Sequence, residues 1–255
     1  MKKWWVLIPT LGVGLGSSFA GLASASSESS RAESPAALSA FLFRNVSPTF
    51  PVSAAQKHTL AVLAVGALPS PIPRGGYDLP FVVRNGTSQT LGTLQGYAMV
   101  WSPSGALVTT GSDQGFDPTR LLPGQEAFAY VFLKPLTTTP PGSTVQVTVA
   151  GAPLTNLNTF FTDLTVVGVH HVGDQIVGMV RNPRPHTVQG PGGVTVFCVS
   201  AAGQFQGEPI WQLPRIPNAG LGAGASAPFT VGLNGASCPS FIVGSSTVDL
   251  RYLRN

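Results

Sequence analysis

The 255-residue chain is short of charge. Asp, Glu, Lys and Arg make up 9% of it, 14 bases against ten acids. No cluster of Lys and Arg interleaves with aromatics, so the pI of about 9.4 reflects few acids, and nucleic-acid binding has no basic patch to rest on. Helical pattern is missing too: no window of about 12 residues shows an apolar stripe free of Gly and Pro. Long hydrophobic runs are absent. The apolar stretch from 4 to 15 falls short of the roughly 20 residues of a bilayer span, and Pro9 and glycines break it. Cysteine is limited to Cys198 and Cys238.

The first residues have a clear layout. Lys2 and Lys3 precede the apolar stretch, and Ala23-Ser24-Ala25 is a small-x-small site, as in a secretory signal peptide over 1–25. The alternative is an uncleaved N-terminal anchor. No Cys follows the apolar stretch to accept a lipid, and no sorting motif or apolar tail closes the sequence. With Lys2 and Lys3 removed, twelve bases face ten acids, a mature charge of +2. The expectation is a soluble exported protein, secreted or on the exterior of the cell envelope, with no stable membrane insertion. In that compartment Cys198 and Cys238 most simply form one disulfide, the rival being two buried thiols. The 41-residue loop so closed corresponds to about 4 kcal/mol of stabilisation by chain entropy.

Residues 26–56 form a Ser/Ala/Pro-rich spacer. Its end, FLFRNVSPTFPV at 41–52, is more apolar and fits either an edge strand or a segment laid on the first domain. From 57 the texture changes to five-to-nine-residue runs rich in Val, Thr, Phe and Tyr, set between Gly, Pro, Asn and Ser. Such runs without helices mean a sandwich or barrel. They occur twice in the same order. LPFVVRN, GYAMVWSPSGALV, RLLPGQEAFAYVFL and STVQVTVAG are echoed by IVGMVRN, VTVFCVSAAGQFQ, GLGAGASAPFTVGL and STVDLRYL. A period near a hundred residues is a tandem domain rather than a solenoid repeat. The expected domains are 57–150 and 159–255, with the boundary in GAPLTNLN at 151–158.

These ordered features resemble the FxLYD family of extracellular β-sandwich domains. The first copy reads VVRN, AMVWSPSG and LLPGQEAF, and the second MVRN, VFCVSAAG and LGAGASAPF. Trp101 and Val199 stand at the family's Tyr, Ser102 and Ser200 at its Asp, and Ala223 at its Pro. The resemblance implies an all-β fold of two tandem immunoglobulin-like antiparallel β-sandwich domains. It implies no reaction.

Individual residues have physical readings of their own. Asn85 and Asn182 end strands, where Asn bonds its own turn. The duplicated Val-Arg-Asn therefore reads as scaffold rather than as a paired Arg84/Arg181 ligand site. Trp101, Tyr97 and Met99 share one pleat face, which reads as core.

No catalytic motif emerges. There is no G-x-S-x-G, none of the four histidines lies in a catalytic motif, and no pair among the scattered carboxylates can be pointed to. Neither a catalytic residue, a metal nor a cofactor is expected. His170, His171 and Asp174 in HHVGD form the one local constellation, but neighbouring strand residues point to opposite faces, so a turn is the simpler reading than a ligand site. Trp211, in the Pro-rich EPIWQLPRIP, is the exposed aromatic to expect.

The function expected is non-catalytic: surface attachment or protein recognition, with an unknown protein or surface polymer as partner and no nucleic acid. The alternative is a glycan or small-molecule binder with a site between the domains. A hydrolase assembled only in three dimensions ranks last. Trp211 beside a concave surface would favour the binder.

Overall fold

Asn85 and Asn182 organise the fold. Each is fully buried, and each makes the same bonds in its own half. The Asn85 side-chain amide donates to the carbonyls of Gln89 (2.7 Å) and Leu121 (3.0 Å), while its oxygen accepts from the Thr87 N–H at 3.0 Å. Asn182 donates to His186 (2.7 Å) and Leu221 (2.8 Å) and accepts from the Arg184 N–H at 2.9 Å. Behind each, a glycine at positive φ, Gly124 or Gly224, donates its N–H to the Asn carbonyl. The Ser102 and Ser200 turns repeat as well. Each hydroxyl accepts the N–H four residues on, at 3.1 and 3.2 Å. The echo is turn chemistry, as the sequence implied.

The structure is a computed structural model describing residues 41–135, 139–154, 161–188 and 192–249. The expected signal peptide, the spacer up to 40 and part of the expected boundary lie outside the described residues. Within them the chain is all-β, with antiparallel ladders and a short 3-10 turn at Ala54–His58.

Strand β1 is Leu42–Arg44. The first half follows with β2 (Leu60–Val65), β3 (Tyr77–Asn85), β4 (Leu91–Trp101), β5 (Leu107–Asp117), β6 (Glu126–Leu133) and β7 (Thr144–Pro153), in sheet order β2-β3-β6-β5-β4-β7. Bulges in β4 and β5 let this sheet roll until its edges meet, with Leu60 of β2 packing over Gly151 of β7. The second half has β8 (Phe161–Asp163), β9 (Thr165–Val172), β10 (Gln175–Arg181), β11 (Gly192–Cys198), β12 (Ile210–Gln212), β13 (Ser226–Gly232) and β14 (Phe241–Val248). Its sheets, β9-β10-β13 and β12-β11-β14, repeat β2-β3-β6 and β5-β4-β7. One difference matters. β5 is long enough to pair with β6, whereas three-residue β12 ladders with β11 alone.

β1 and β8 both pair with the free edge of β14. Leu42–Arg44, in the segment read as either an edge strand or a piece laid on the first domain, is thus an edge strand, and it belongs to the second half, where it satisfies ladder groups that an open edge would expose.

Each half has its own apolar core, around Phe81 and Leu133 in the first and Phe229 and Val243 in the second. A third cluster lies between them: Phe50, Val82 and Phe128 against Phe197, Val199 and Ile242. It explains why β3 and β11 carry largely apolar stretches, LPFVV and VTVFC, that are buried on both faces. The described residues accordingly belong to one compact unit. The disulfide expected between Cys198 and Cys238 is present, with a Cα–Cα distance of 5.2 Å, buried in the second core.

One face assignment is overturned. Tyr97, Met99 and Trp101 point outward, and Tyr97 is 50% exposed, while Gly96, Ala98 and Val100 face the core. The Phe81–Phe116 edge-on pair (5.7 Å) fills that space, and a Cβ on Gly96 would stand 2.8 Å from the Phe81 ring. The inner side of β4 must therefore be small, and the aromatics go outside.

Candidate functional site

Where the outer face of β5 and β6 meets β11, β12 and β14, the two halves leave a cleft of about 210 Å³. Its first-half wall comes from Gln114, Phe116, Asp117 and Tyr130, and its second-half wall from Gly193, Thr195, Trp211, Phe161, Ser246 and Thr247. That volume is below the roughly 300–1,000 Å³ of pockets for drug-sized ligands, and suits a single ring.

Trp211 is 51% exposed and lines the cleft. It stands opposite Thr195 in the β11–β12 ladder, and the ring-nitrogen edge of its indole comes against Gly193, where a Cβ would collide with it. Gly193 is thus bare where the indole edge approaches, while its neighbour Gly192 faces Ile216 and Pro214. Phe161, 50% exposed, lines the same cleft from β8.

Asp117 forms the polar floor. Its carboxyl is buried, packs against Gly244 of β14 and bonds to the hydroxyls of Thr195 and Ser246. No group among the described residues bonds its Oδ1. Burial, with Asp163 adding repulsion, pushes its pKa up to about 7, against the pull of those hydroxyls. Asp163 crosses the junction in the other direction. Its Oδ1 accepts from the Thr119 N–H (2.6 Å) and hydroxyl (2.8 Å), and Oδ2 lies 3.5 Å from Arg120 Nε. Burial raises that carboxyl too, with Arg120 opposing. Tyr130 is half-buried, and burial raises its phenol. The cleft therefore offers aromatic faces, hydroxyls and one carboxyl that can accept or donate, with no cationic side chain in its lining. Such a lining is chemically suited to an uncharged ring bearing hydroxyl or amide groups.

His170, His171 and Asp174 lie elsewhere, on the β9–β10 hairpin. All three are exposed, Gly173 makes the turn at φ +59, and Asp174 accepts the Gly235 N–H at 3.1 Å. The two histidines follow one another along β9 and leave opposite faces; His171 meets the Phe241 ring at 6.4 Å. Among the described residues no group of three or more His, Cys, Asp or Glu is placed to hold a metal. Arg181 is exposed and donates to the Gly224 carbonyl at 3.2 Å. His186 bonds Asp249 at 2.8 Å.

Of the residues named in advance, only Trp211 belongs to the cleft. Phe161, Asp117, Thr195 and Gly193 carry no local motif. The nearest signal is the Gly-Gly pair opening an otherwise apolar strand, which marks a close approach. Among the described residues no helix is long and apolar enough to cross a membrane, which leaves strand-spanning unaddressed. Neither protein-family models nor curated proteins give a match to this chain.

Proposed function

We propose that the chain is an exported, non-catalytic binding protein that seats one ring of a neutral glycan or similar small molecule between its halves, and so attaches to a surface polymer. The observation that carries the reading is Trp211: half-exposed, seated with its ring-nitrogen edge against Gly193 and bordering a concave surface. A stacking aromatic with adjacent hydroxyls and a carboxyl is the chemistry that grips a polyhydroxylated ring. Export is supported by the signal-like first 25 residues and by the disulfide.

The test is saturation-transfer NMR and calorimetry of the purified chain with glucose, N-acetylglucosamine and cellobiose. Binding to at least one of them, lost in Trp211→Ala with the melting temperature retained, is the expected outcome. Unchanged binding by Trp211→Ala rejects the site.

A further inference from the structure

The outer face of β4 continues outward from the cleft. Gln114, which lines the cleft, is followed along the outer side of β5 by Ser112 and Thr110, and these pair with Tyr97 and Met99 of β4. Trp101 comes next, opposite Leu107, and on the far side Thr148, Gln146 and Thr144 of β7 complete the rows. Tyr97 and Leu107 are about half-exposed, and Met99 and Trp101 are partly so. None of these side chains carries a charge.

From this continuity we propose that the cleft is one end of a track for an uncharged polysaccharide chain, with Tyr97 and Trp101 as further stacking platforms. The proposal rests on the cleft reading above. Tyr97 and Trp101 are four strand residues apart, about 13 Å, and the outer side of β4 from Gln95 to Trp101 spans about 20 Å, the length of several sugar rings. Flat aromatics between short hydroxyl and amide side chains offer the alternation of apolar face and polar edge that a sugar chain presents. Charge complementarity points the same way. The named side chains of the face offer a sulfated or uronic polymer no cation; one exposed cation, Lys134, stands at its border, just after Leu133, which pairs with Gly111. The aromatics are outside for a structural reason, because Phe81 and Phe116 fill the inner space; even so, the exposed side of a sheet favours polar residues, and Tyr97, Met99 and Trp101 depart from that in a single row.

The experiment compares dimers and hexamers of cello- and chito-oligosaccharides, with a heparin hexamer as charged control, on the full chain and on Trp211→Ala, Tyr97→Ala/Trp101→Ala and Thr148→Glu. Thr148→Glu places a charge beside Tyr97 at an exposed position and guards against misfolding of the double variant. The hexamer should bind about tenfold more tightly than the dimer. Both track variants should bring the hexamer down to the dimer's affinity, and Trp211→Ala should weaken both lengths. The track is overturned if affinity is independent of length, if both track variants keep the gain, or if heparin binds as well as the neutral hexamer. It is also overturned if light scattering shows a dimer that the track variants dissociate, since the face is then covered by a second copy. In these cases a loss in Trp211→Ala on the neutral dimer leaves the cleft reading standing. Absence of binding by every neutral sugar removes both.

Discussion

Phe128 of β6 and Phe197 of β11 pack across the two halves, with ring centroids 5.6 Å apart and planes tilted by 49°. Phe50 joins Phe128 edge-on at 6.0 Å, and the Arg44 guanidinium lies 5.3 Å from the centre of the same ring. Duplicated β-sandwiches on a linker need no such contact. Here the outer face of one half serves as a wall for the other, and the cleft lies where outer-face residues of β5 and β6 meet β11, β12 and β14.

Phe128→Ala should destabilise the whole chain by about 3–5 kcal/mol, as for a large aromatic lost from a core. The two halves should then still melt together. Either half expressed alone should bind a hydrophobic dye strongly. Independent, dye-silent folding of both halves would show that the shared cluster is dispensable.

Asn85→Ala and Asn182→Ala should each cost about 2–3 kcal/mol, since each leaves buried carbonyls without their donors. Arg181→Ala should stay within about 0.5 kcal/mol. Urea denaturation of the three variants measures this. Equal losses at Asn182 and Arg181 would contradict the role given to the buried Asn182 amide.

Trp101→Ala should cost under about 1.5 kcal/mol, well below Phe81→Ala at about 3–5 kcal/mol, because Phe81 is wholly buried and Trp101 is not. Thermal melting of the pair decides it. A larger loss at Trp101 would restore the inward reading of that face.

Asp117 makes stability depend on pH. Its folded pKa of about 7 lies above the ordinary 3.8, so folding takes up a proton between those values. This contribution is complete below about pH 4 and is lost as pH rises through 7; about three units correspond to ~4 kcal/mol. Asp163 shifts in the same direction. The melting temperature should therefore fall from pH 5 to pH 8, and Asp117→Asn should flatten much of that fall. Parallel profiles for variant and parent would rule out Asp117 as the source.

Cys198 and Cys238 are 4% and 1% exposed, so the bond should resist reductant in the folded chain and yield only on unfolding. Alkylation mapped by mass spectrometry, with and without denaturant, tests this. Ready native reduction would mean that the second core opens locally.

The sequence by itself determined what depends on local chemistry and on repetition. The β class follows from short Val- and Thr-rich runs between turn residues. The twofold plan follows from the ordered echo, and the Asn turns from the few conformations that an Asn beside Gly or Pro adopts. The disulfide needed only two cysteines and a compartment. Tertiary structure decided whatever depends on which face meets which. Alternation in β4 specified that one side is buried but not which one. The choice fell to the volume of Phe81 and Phe116, residues distant in sequence from Trp101. Pairing of Leu42–Arg44 with β14 spans some two hundred residues and leaves no periodic trace. The cleft belongs to neither half: Asp117, Thr195 and Phe161 are unremarkable where they stand in the chain, and Trp211 stands out there only as an aromatic in a Pro-rich stretch. They become a site only because the apolar outer faces of β6 and β11, pressed together to escape water, bring them around one space.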